Sequence, residues 1–182
     1  MLEGKNVNLR VMEREDVDFI GEYGNDMHGM GEYWVVEQRS KSDWVKLFDA
    51  FQSSPNDFEL FIIEKKDGTK IGDIHCQLAH GLNAMVISYW LVSNERKKGY
   101  GTEAVQLMVD HLFLSKVHGR IQAIVDARNK PSQRVLEKTG FQREGTMRKC
   151  VYNRGELRDY CLYSILREEW KEPKILIAAN SK

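Results

Sequence analysis

The sequence contains little cysteine, no net charge and no long apolar run, and each shortage excludes a class of protein. Its three cysteines, Cys76, Cys150 and Cys161, are an odd number without a Cys-x-x-Cys pair. A disulfide framework is therefore excluded, and a reducing compartment is indicated. The 27 basic and 27 acidic side chains cancel. Since no overall field then favours nucleic acid or an anionic membrane, any bound anion requires a local cluster of donors.

Signals for export and for membrane insertion are equally scarce. The first residues lack the apolar core of a signal peptide, and no stretch reaches the roughly 18 apolar residues of a membrane helix. We therefore expect a cytoplasmic protein. The length of 182 residues, with 42% apolar and 30% charged side chains, predicts a single globular domain over residues 1–182. Residues 173–182 are a predicted C-terminal tail, and the sequence is compatible with a monomer or a homodimer.

The patterning of apolar residues predicts a mixed α/β protein. Apolar and polar side chains alternate from residue 7 to residue 12, as in a half-buried strand. The nearly unbroken apolar run 86–92 is typical of a central strand, and Asp67-Gly68 predicts a hairpin turn. The predicted strands cover residues 7–12, 58–64, 70–78, 85–92, 121–127, 141–151 and 156–166.

Four helices are predicted between these strands. Ser42 is the expected N-cap of the second helix, and Gly140 is the expected end of the fourth. The segment 24–40 carries three glycines without a regular period, and long loops of this kind are often functional. The predicted helices cover residues 13–23, a stretch with an apolar face at 44, 47, 48 and 51, residues 99–115 and residues 131–139.

The most informative stretch joins the central strand to the long helix. A buried strand ends at Val92, the basic run Arg96-Lys97-Lys98 follows, and Gly99 and Gly101 open a helix. The first turn of a helix has about four N–H groups without partners and a partial positive charge. Glycines allow a phosphate to approach the main chain closely. The combination suits a diphosphate, and the alternative interpretation is an ordinary helix start with solvated lysines.

Two nucleotide motifs compete for these residues. The Walker A motif is excluded, because no Gly-Lys-Ser or Gly-Lys-Thr is present at the loop. The dinucleotide pattern is formally matched by Gly99, Gly101 and Ala104, with Asp126 further along the chain. We reject it because six residues separate Val92 from the first glycine and too few strands follow in βαβ order.

Three stretches resemble the GNAT superfamily of N-acetyltransferases. Residues 96–101, Arg-Lys-Lys-Gly-Tyr-Gly, are similar to its Arg/Gln-x-x-Gly-x-Gly/Ala loop. Residues 129–141 resemble the Asn-x-x-Ser…Glu-Lys-x-Gly-Phe segment of its RimJ/RimL-like branch, and residues 159–170 resemble that branch's closing strand and helix. The match covers residues 88–170, and the strand around Asn8-Leu9-Arg10 extends it more weakly to nearly the whole chain.

The resemblance implies a fold, an activity and a set of binding residues. The implied fold is single-domain α/β (α+β), with a mixed, mostly antiparallel sheet, helices on both faces and a splayed central strand. The implied activity is acetyl-CoA-dependent acetylation of an amine, such as a protein N-terminus, polyamine, amino sugar or small metabolite, without nucleic acid or membrane partners. The residues implied to bind the cofactor are Leu91, Val92, Arg96, Lys97, Lys98, Gly99, Tyr100, Gly101, Thr102, Asn129 and Ser132.

The chain departs from common family patterns at the catalytic positions. Leu136 stands where many relatives have a tyrosine that protonates the thiolate, and Val86 and Ser88 stand where the branch often has a carboxylate. Ser132 is therefore our candidate acid, the alternative being a helix cap or a contact with pantetheine. Asp73 and Glu32 are candidate bases acting through water, although the sequence around each fits an ordinary turn or surface residue better.

Other functions remain open at this stage. The missing tyrosine and carboxylate suit a non-catalytic acyl-CoA-binding sensor, and a nicotinamide dehydrogenase is a more distant alternative. His75, Cys76 and His80 are close in sequence, but neighbouring strand residues point to opposite faces, so we expect no metal site. Acceptor contacts are expected from residues 24–40 and 152–158.

Overall fold

The computed structural model describes residues 1–35, 37–53, 57–79 and 81–175. These residues form one eight-stranded sheet and five helices. The strands are β1 (Leu2–Glu3), β2 (Val7–Val11), β3 (Phe58–Lys65), β4 (Lys70–Leu78), β5 (Ala84–Leu91), β6 (Arg120–Asp126), β7 (Gln142–Asn153) and β8 (Glu156–Leu166). The helices are α1 (Val17–Gly24), α2 (Met27–Met30), α3 (Lys41–Gln52), α4 (Tyr100–Ser115) and α5 (Lys130–Lys138).

The centre of the sheet contains an opening between two strands. The strand order is β1-β2-β3-β4-β5-β6-β8-β7, and every neighbouring pair is antiparallel except β5 and β6. The parallel pairing of β5 with β6 involves only residues 84–86 and 120–122. Beyond it the strands separate, and we call the space between residues 87–91 and 123–126 the split. The predicted mixed sheet with a splayed central strand is confirmed.

Helices cover both faces of the sheet, as two consecutive residues of β5 demonstrate. Trp90 packs against Phe19 and Tyr23 of α1, with ring centroids 6.0 and 5.8 Å apart. Its neighbour Tyr89 instead reaches Ser132 of α5. Since consecutive strand residues point to opposite faces, α1 lies on one face and α5 on the other. Helix α4 contacts α5 and lies on the same face of the sheet.

Several predicted boundaries are corrected by the structure. Ser40, not Ser42, caps α3, because the Ser40 Oγ accepts a hydrogen bond from the Asp43 N–H at 3.2 Å. A short 3₁₀ turn at Arg14–Asp16 replaces the start of the first predicted helix. The prediction of a closing helix after β8 is wrong, since residues 167–169 form a turn.

Two predicted features lie partly or wholly outside the described residues. His80 is outside them, as is the tail beyond residue 175. The part of the tail that is described docks on α4, where the Lys174 and Ile175 N–H groups both donate to Asp110 Oδ2 at 2.9 Å. Among the described helices, none has the length and apolarity required to span a bilayer.

Candidate active site

The turn between β5 and α4 presents a row of free main-chain donors. Within the described residues, the N–H groups of residues 97–102 meet no acceptor, and the first bond of α4 runs from the Glu103 N–H to Gly99 O at 3.1 Å. Gly99 has a left-handed conformation with φ of 90°, and Lys97 has φ of 64°. We call residues 96–102 the glycine loop. Its consecutive donors at a helix N-terminus are suited to an anion.

The three basic side chains of the glycine loop have different environments. Lys97 is exposed, whereas Lys98 Nζ contacts Glu95 Oε2 at 3.0 Å. Arg96 turns away from the loop, and its Nε donates to Leu91 O at 2.8 Å. The sequence suggested that all three would add charge to one anion site, but the structure directs only part of that charge toward the loop's outer surface.

Within the described residues, the part of β5 beyond its pairing with β6 faces the split without a partner strand, although Leu91 O accepts from Arg96 Nε. The Val92 N–H donates to Ile71 O of β4, on the side of β5 opposite to the split. Since main-chain groups of alternate strand residues point to alternate sides, Leu91 and Tyr89 direct their N–H and C=O groups into the split. Such an edge can accept an extended ligand as an added strand.

A pair of hydroxyl groups lies on the α5 face of β5. Tyr89 Oη and Ser132 Oγ are 2.8 Å apart, and burial raises the pKa of Tyr89 to about 12, although the Ser132 contact opposes the rise. Asn129 Oδ1 accepts from the Ser132 N–H at 3.1 Å and so caps α5. The cap role that was open for Ser132 therefore belongs to Asn129. Sequence reasoning missed Tyr89, whose adjacency to Trp90 on a central strand was the available signal.

Asp73 lies on the other face of the sheet, opposite Trp90 in β5. It is 4% exposed, and burial raises its pKa despite an opposing contact with His75 Nδ1 at 3.3 Å. The His75 ring is also stacked on Phe58, with centroids 5.5 Å apart. Ser132 and Asp73 are thus placed on opposite faces and do not form one cluster.

Glu32 is exposed and belongs to a segment that joins the ends of β5 and β6. We call residues 27–34 the strap. Arg96 Nη2 holds it from the β5 side by donating to Gly29 O at 2.5 Å. Within the described residues no hydrogen bond or ion pair joins the Glu32 side chain to Asp73.

The hairpin of β7 and β8 holds the strap from the other side. Arg158 is buried and contacts Asp126 Oδ2 of β6 at 3.3 Å, which ties this anchor to the far arm of the split. Sequence reasoning missed these anchors, because each joins residues more than 110 positions apart. The hairpin donors and their strap acceptors are Asn153 Nδ2 with Trp34 O (3.1 Å), Arg154 Nη2 with Met27 O (3.0 Å) and Gly31 O (3.1 Å), and Arg158 Nη1 with Glu32 O (2.6 Å).

Within the described ranges, no three His, Cys, Asp or Glu side chains are grouped closely enough to hold an ion. The chemical capacity of the site lies instead in main-chain donors, the free edge of β5 and the Tyr89–Ser132 pair. These features lie around one split, with the strap across its open end.

Known proteins share the fold of this chain. The Acetyltransferase (GNAT) domain matches residues 6–142. YjcK, a probable N-acetyltransferase of Bacillus subtilis (strain 168), is 31% identical over 182 residues, covering 93% of this chain and 98% of the relative. The spermidine N-acetyltransferase from Vibrio cholerae, solved in complex with CoA and spermine, has a TM-score of 0.82 at 21% identity, covering 90% of this chain and 97% of its own.

A ribosomal-protein-S5-alanine acetyltransferase from Vibrio fischeri has the same fold, with a TM-score of 0.81 at 24% identity, covering 93% of this chain and 97% of its own. The resemblance inferred from three short motifs is thereby confirmed. The domain match spans well over half of the chain, and the split and glycine loop occupy the matched region. The chain belongs to the GNAT acetyltransferase family and is an N-acetyltransferase.

Proposed function

We propose that this N-acetyltransferase moves the acetyl group of acetyl-CoA to a primary amine by direct attack in a ternary complex. The observation that carries the proposal is the row of free N–H groups in the glycine loop beside the free edge of β5. The N–H groups suit the diphosphate of CoA, and the edge of β5 suits its extended pantetheine arm. The proposed binding residues are Leu91, Val92, Arg96, Lys97, Lys98, Gly99, Tyr100, Gly101, Thr102, Asn129 and Ser132.

The protein must assist three steps of the reaction. The acceptor, whose pKa is near 10.4 if it is lysine-like, must lose a proton before its nitrogen attacks the thioester carbon. Main-chain N–H groups of Tyr89 and Leu91 in the split are placed to stabilise the resulting oxyanion. As the C–N bond forms and the C–S bond breaks, the thiolate takes a proton from the Ser132 hydroxyl, which Tyr89 positions. The proton that the base removed from the amine then returns through water to Ser132, so that both groups regain their starting state.

Asp73 and Glu32 are the proposed bases, each acting through water. A raised pKa brings Asp73 closer to the range in which a carboxylate accepts protons efficiently near neutral pH. Glu32 lies on the strap, where its exposed carboxylate can attract a cationic amine. Both carboxylates are therefore candidate bases, and Glu32 has the additional proposed role of attracting the cation.

The proposed acceptor approaches from the strap. Glu32, Glu37 and Glu156 are exposed in this region. Glu37 pairs with Arg39, and Glu156 pairs with Arg128 and Arg158, so the Glu32 carboxylate is the one proposed to attract a cationic amine. The neighbouring folds acting on spermidine and on a ribosomal-protein alanine make a polyamine and a peptide N-terminus the first two acceptor classes to test. One domain, a monomeric or homodimeric state and a cytoplasmic location remain predictions.

The decisive experiment combines binding with turnover. Titration calorimetry with acetyl-CoA should give saturable binding, and thiol release should follow when spermidine or an alanine-terminated peptide is added. Titration with NADH, which tests the dehydrogenase alternative, should give no signal. Binding of acetyl-CoA without thiol release for any amine would favour the sensor alternative, and no binding at millimolar ligand would overturn the proposal.

A further inference from the structure

Arg96 belongs to two parts of the molecule at once. Its main chain opens the glycine loop, while its side chain leaves the loop and holds the strap. The Arg96 side chain donates to Leu91 O and Gly29 O, and its Nη2 also lies 3.4 Å from Met30 O. One guanidinium therefore joins the end of β5 to residues 66 and 67 positions away in the sequence.

The charge of Arg96 is only partly compensated. In the described chain Arg120 and Arg158 contact carboxylates, whereas Arg154 and Arg167 donate to carbonyl oxygens. Within those same residues Arg96 donates only to carbonyl oxygens, and burial lowers its pKa. A half-buried cation that has lost water without gaining an anion is stabilised by any negative charge that binds nearby. A diphosphate on the N–H groups of residues 97–102 would bring that charge.

We propose that Arg96 couples occupation of the diphosphate site to the order of the strap, so that bound acetyl-CoA prepares the surface that receives the amine. This inference rests on the proposed function. When the anion binds, the guanidinium is held in place, and its bonds to Gly29 and Met30 become more persistent. Because such coupling is reciprocal, an acceptor that orders the strap also tightens acetyl-CoA. Arg96 is a positioning residue in this scheme.

The other strap anchors supply internal controls. Arg154 and Arg158 hold the strap from the β7–β8 hairpin without touching the glycine loop. Removing one of them should loosen the strap but should leave its response to CoA. Close packing on the Arg96 side is also evident at Gly31, where φ is 84° and an added Cβ would lie 3.3 Å from Arg96 Nη1.

The test is hydrogen exchange of peptides spanning residues 27–34, measured with and without CoA. In the wild-type protein CoA should slow this exchange by about fivefold or more. In Arg96→Gln exchange should be fast and unchanged by CoA, although calorimetry still detects CoA binding. Arg96→Lys, which keeps the charge, should restore part of the response. Arg154→Gln should raise the basal exchange and retain the response, and the exposed Arg148→Gln should behave like wild type.

The possible results separate this inference from the proposed function. CoA binding to wild type without strap protection, or equal protection in Arg96→Gln, would overturn the coupling alone. No CoA binding to wild type would overturn both. Thermal melts of each variant identify a misfolded protein, and in that case the comparison of Arg96→Lys with Arg154→Gln decides, since only the former should weaken the CoA response.

Discussion

The hydroxyl of Ser132 is oriented by groups with separate functions. Asn129 satisfies the Ser132 N–H and begins α5, while the buried Tyr89 hydroxyl contacts Ser132 Oγ at 2.8 Å. Because burial raises the pKa of Tyr89 to about 12 against the effect of the Ser132 contact, Tyr89 stays protonated throughout the usual assay range. A neutral donor pair of this kind can deliver a proton to a departing thiolate without a titration of its own near neutral pH.

Removal of the Ser132 hydroxyl tests this role. Ser132→Ala should lower kcat by about 100-fold, the lower end of what a general acid contributes, with little change in the dissociation constant of acetyl-CoA. Tyr89→Phe should have a smaller effect in the same direction. Steady-state kinetics with calorimetry measures both, and Ser115→Ala at the far end of α4 is the control. An unchanged kcat in Ser132→Ala would assign the proton to another donor.

At the scale of secondary-structure elements, the N-terminus of α4 depends on two glycines with unequal constraints. Gly99 has φ of 90°, a region in which a side chain is strained, whereas Gly101 has no such φ. A Cβ at Gly101 would meet Leu91 Cδ1 at 3.6 Å, an ordinary contact. The conformation of the glycine loop therefore requires glycine at position 99. At position 101 neither the conformation nor the packing requires it.

The two glycines predict contrasting variants. Gly99→Ala should lower the free energy of unfolding by about 1 kcal/mol through the left-handed conformation and should weaken acetyl-CoA, because the free N–H groups lose their arrangement. Gly101→Ala, the matched control, should retain stability and binding, in keeping with the glycine-or-alanine family pattern. Urea unfolding and calorimetry measure the two quantities. Equal losses in both variants would contradict the conformational explanation.

Elements were predictable wherever the determining interactions are local. The Asp67-Gly68 turn and β4 follow from turn chemistry and strand pattern, and β4 has the predicted bounds. The N-cap of α3 was misassigned because Ser40 and Ser42 are equally good caps, and only the extended conformation of Ser40 distinguishes them. The inward turn of Arg96 was unpredictable, since it depends on strap carbonyls distant in sequence.

The docking of the last described residues on α4 depends on one side chain of that helix. Asp110 is buried in α4 and accepts from Trp170 Nε1 and from the main chain of Lys174 and Ile175, each at 2.9 Å. Asp110→Asn replaces one acceptor by a donor that faces other donors, which should cost about 2 kcal/mol. Urea unfolding should detect this loss, and trypsin should cleave faster after Lys171 or Lys174. Unchanged cleavage would show that the apolar contacts suffice. Glu22→Gln, at an exposed position of α1, is the control.

For the molecule as a whole, two buried carboxylates make stability depend on pH in opposite directions. Burial alone would raise the pKa of Asp16, but hydrogen bonds from Arg10 and Lys70 outweigh it and lower the pKa to about 2. Asp73 has no such compensation, and burial raises its pKa above the ordinary 3.8 against the contact with His75. Asp16 links β2 to β4, so its charge state affects the centre of one half of the sheet.

The signs of these shifts predict two different pH profiles. The folded-state pKa of Asp16 lies below the unfolded value, so its stabilisation is complete above about pH 4 and is lost as the pH falls toward about 2. Its contribution is about 2 kcal/mol, and Asp16→Asn should flatten the acid side of the stability curve. The folded-state pKa of Asp73 is raised, so its contribution is present below the unfolded value and disappears as the pH rises through the folded one.

Asp73→Asn should therefore flatten the plot of unfolding free energy against pH from about pH 4 upward, where Asp16→Asn has no effect. Urea unfolding of the wild type and both variants, followed by circular dichroism from about pH 2.5 to about pH 8, measures the two limbs within the range where the protein refolds. Because any lost hydrogen bond shifts a whole curve equally, the difference in slope isolates the charge. Parallel curves for wild type and Asp16→Asn would show that the Arg10–Asp16–Lys70 cluster is not the source of acid sensitivity.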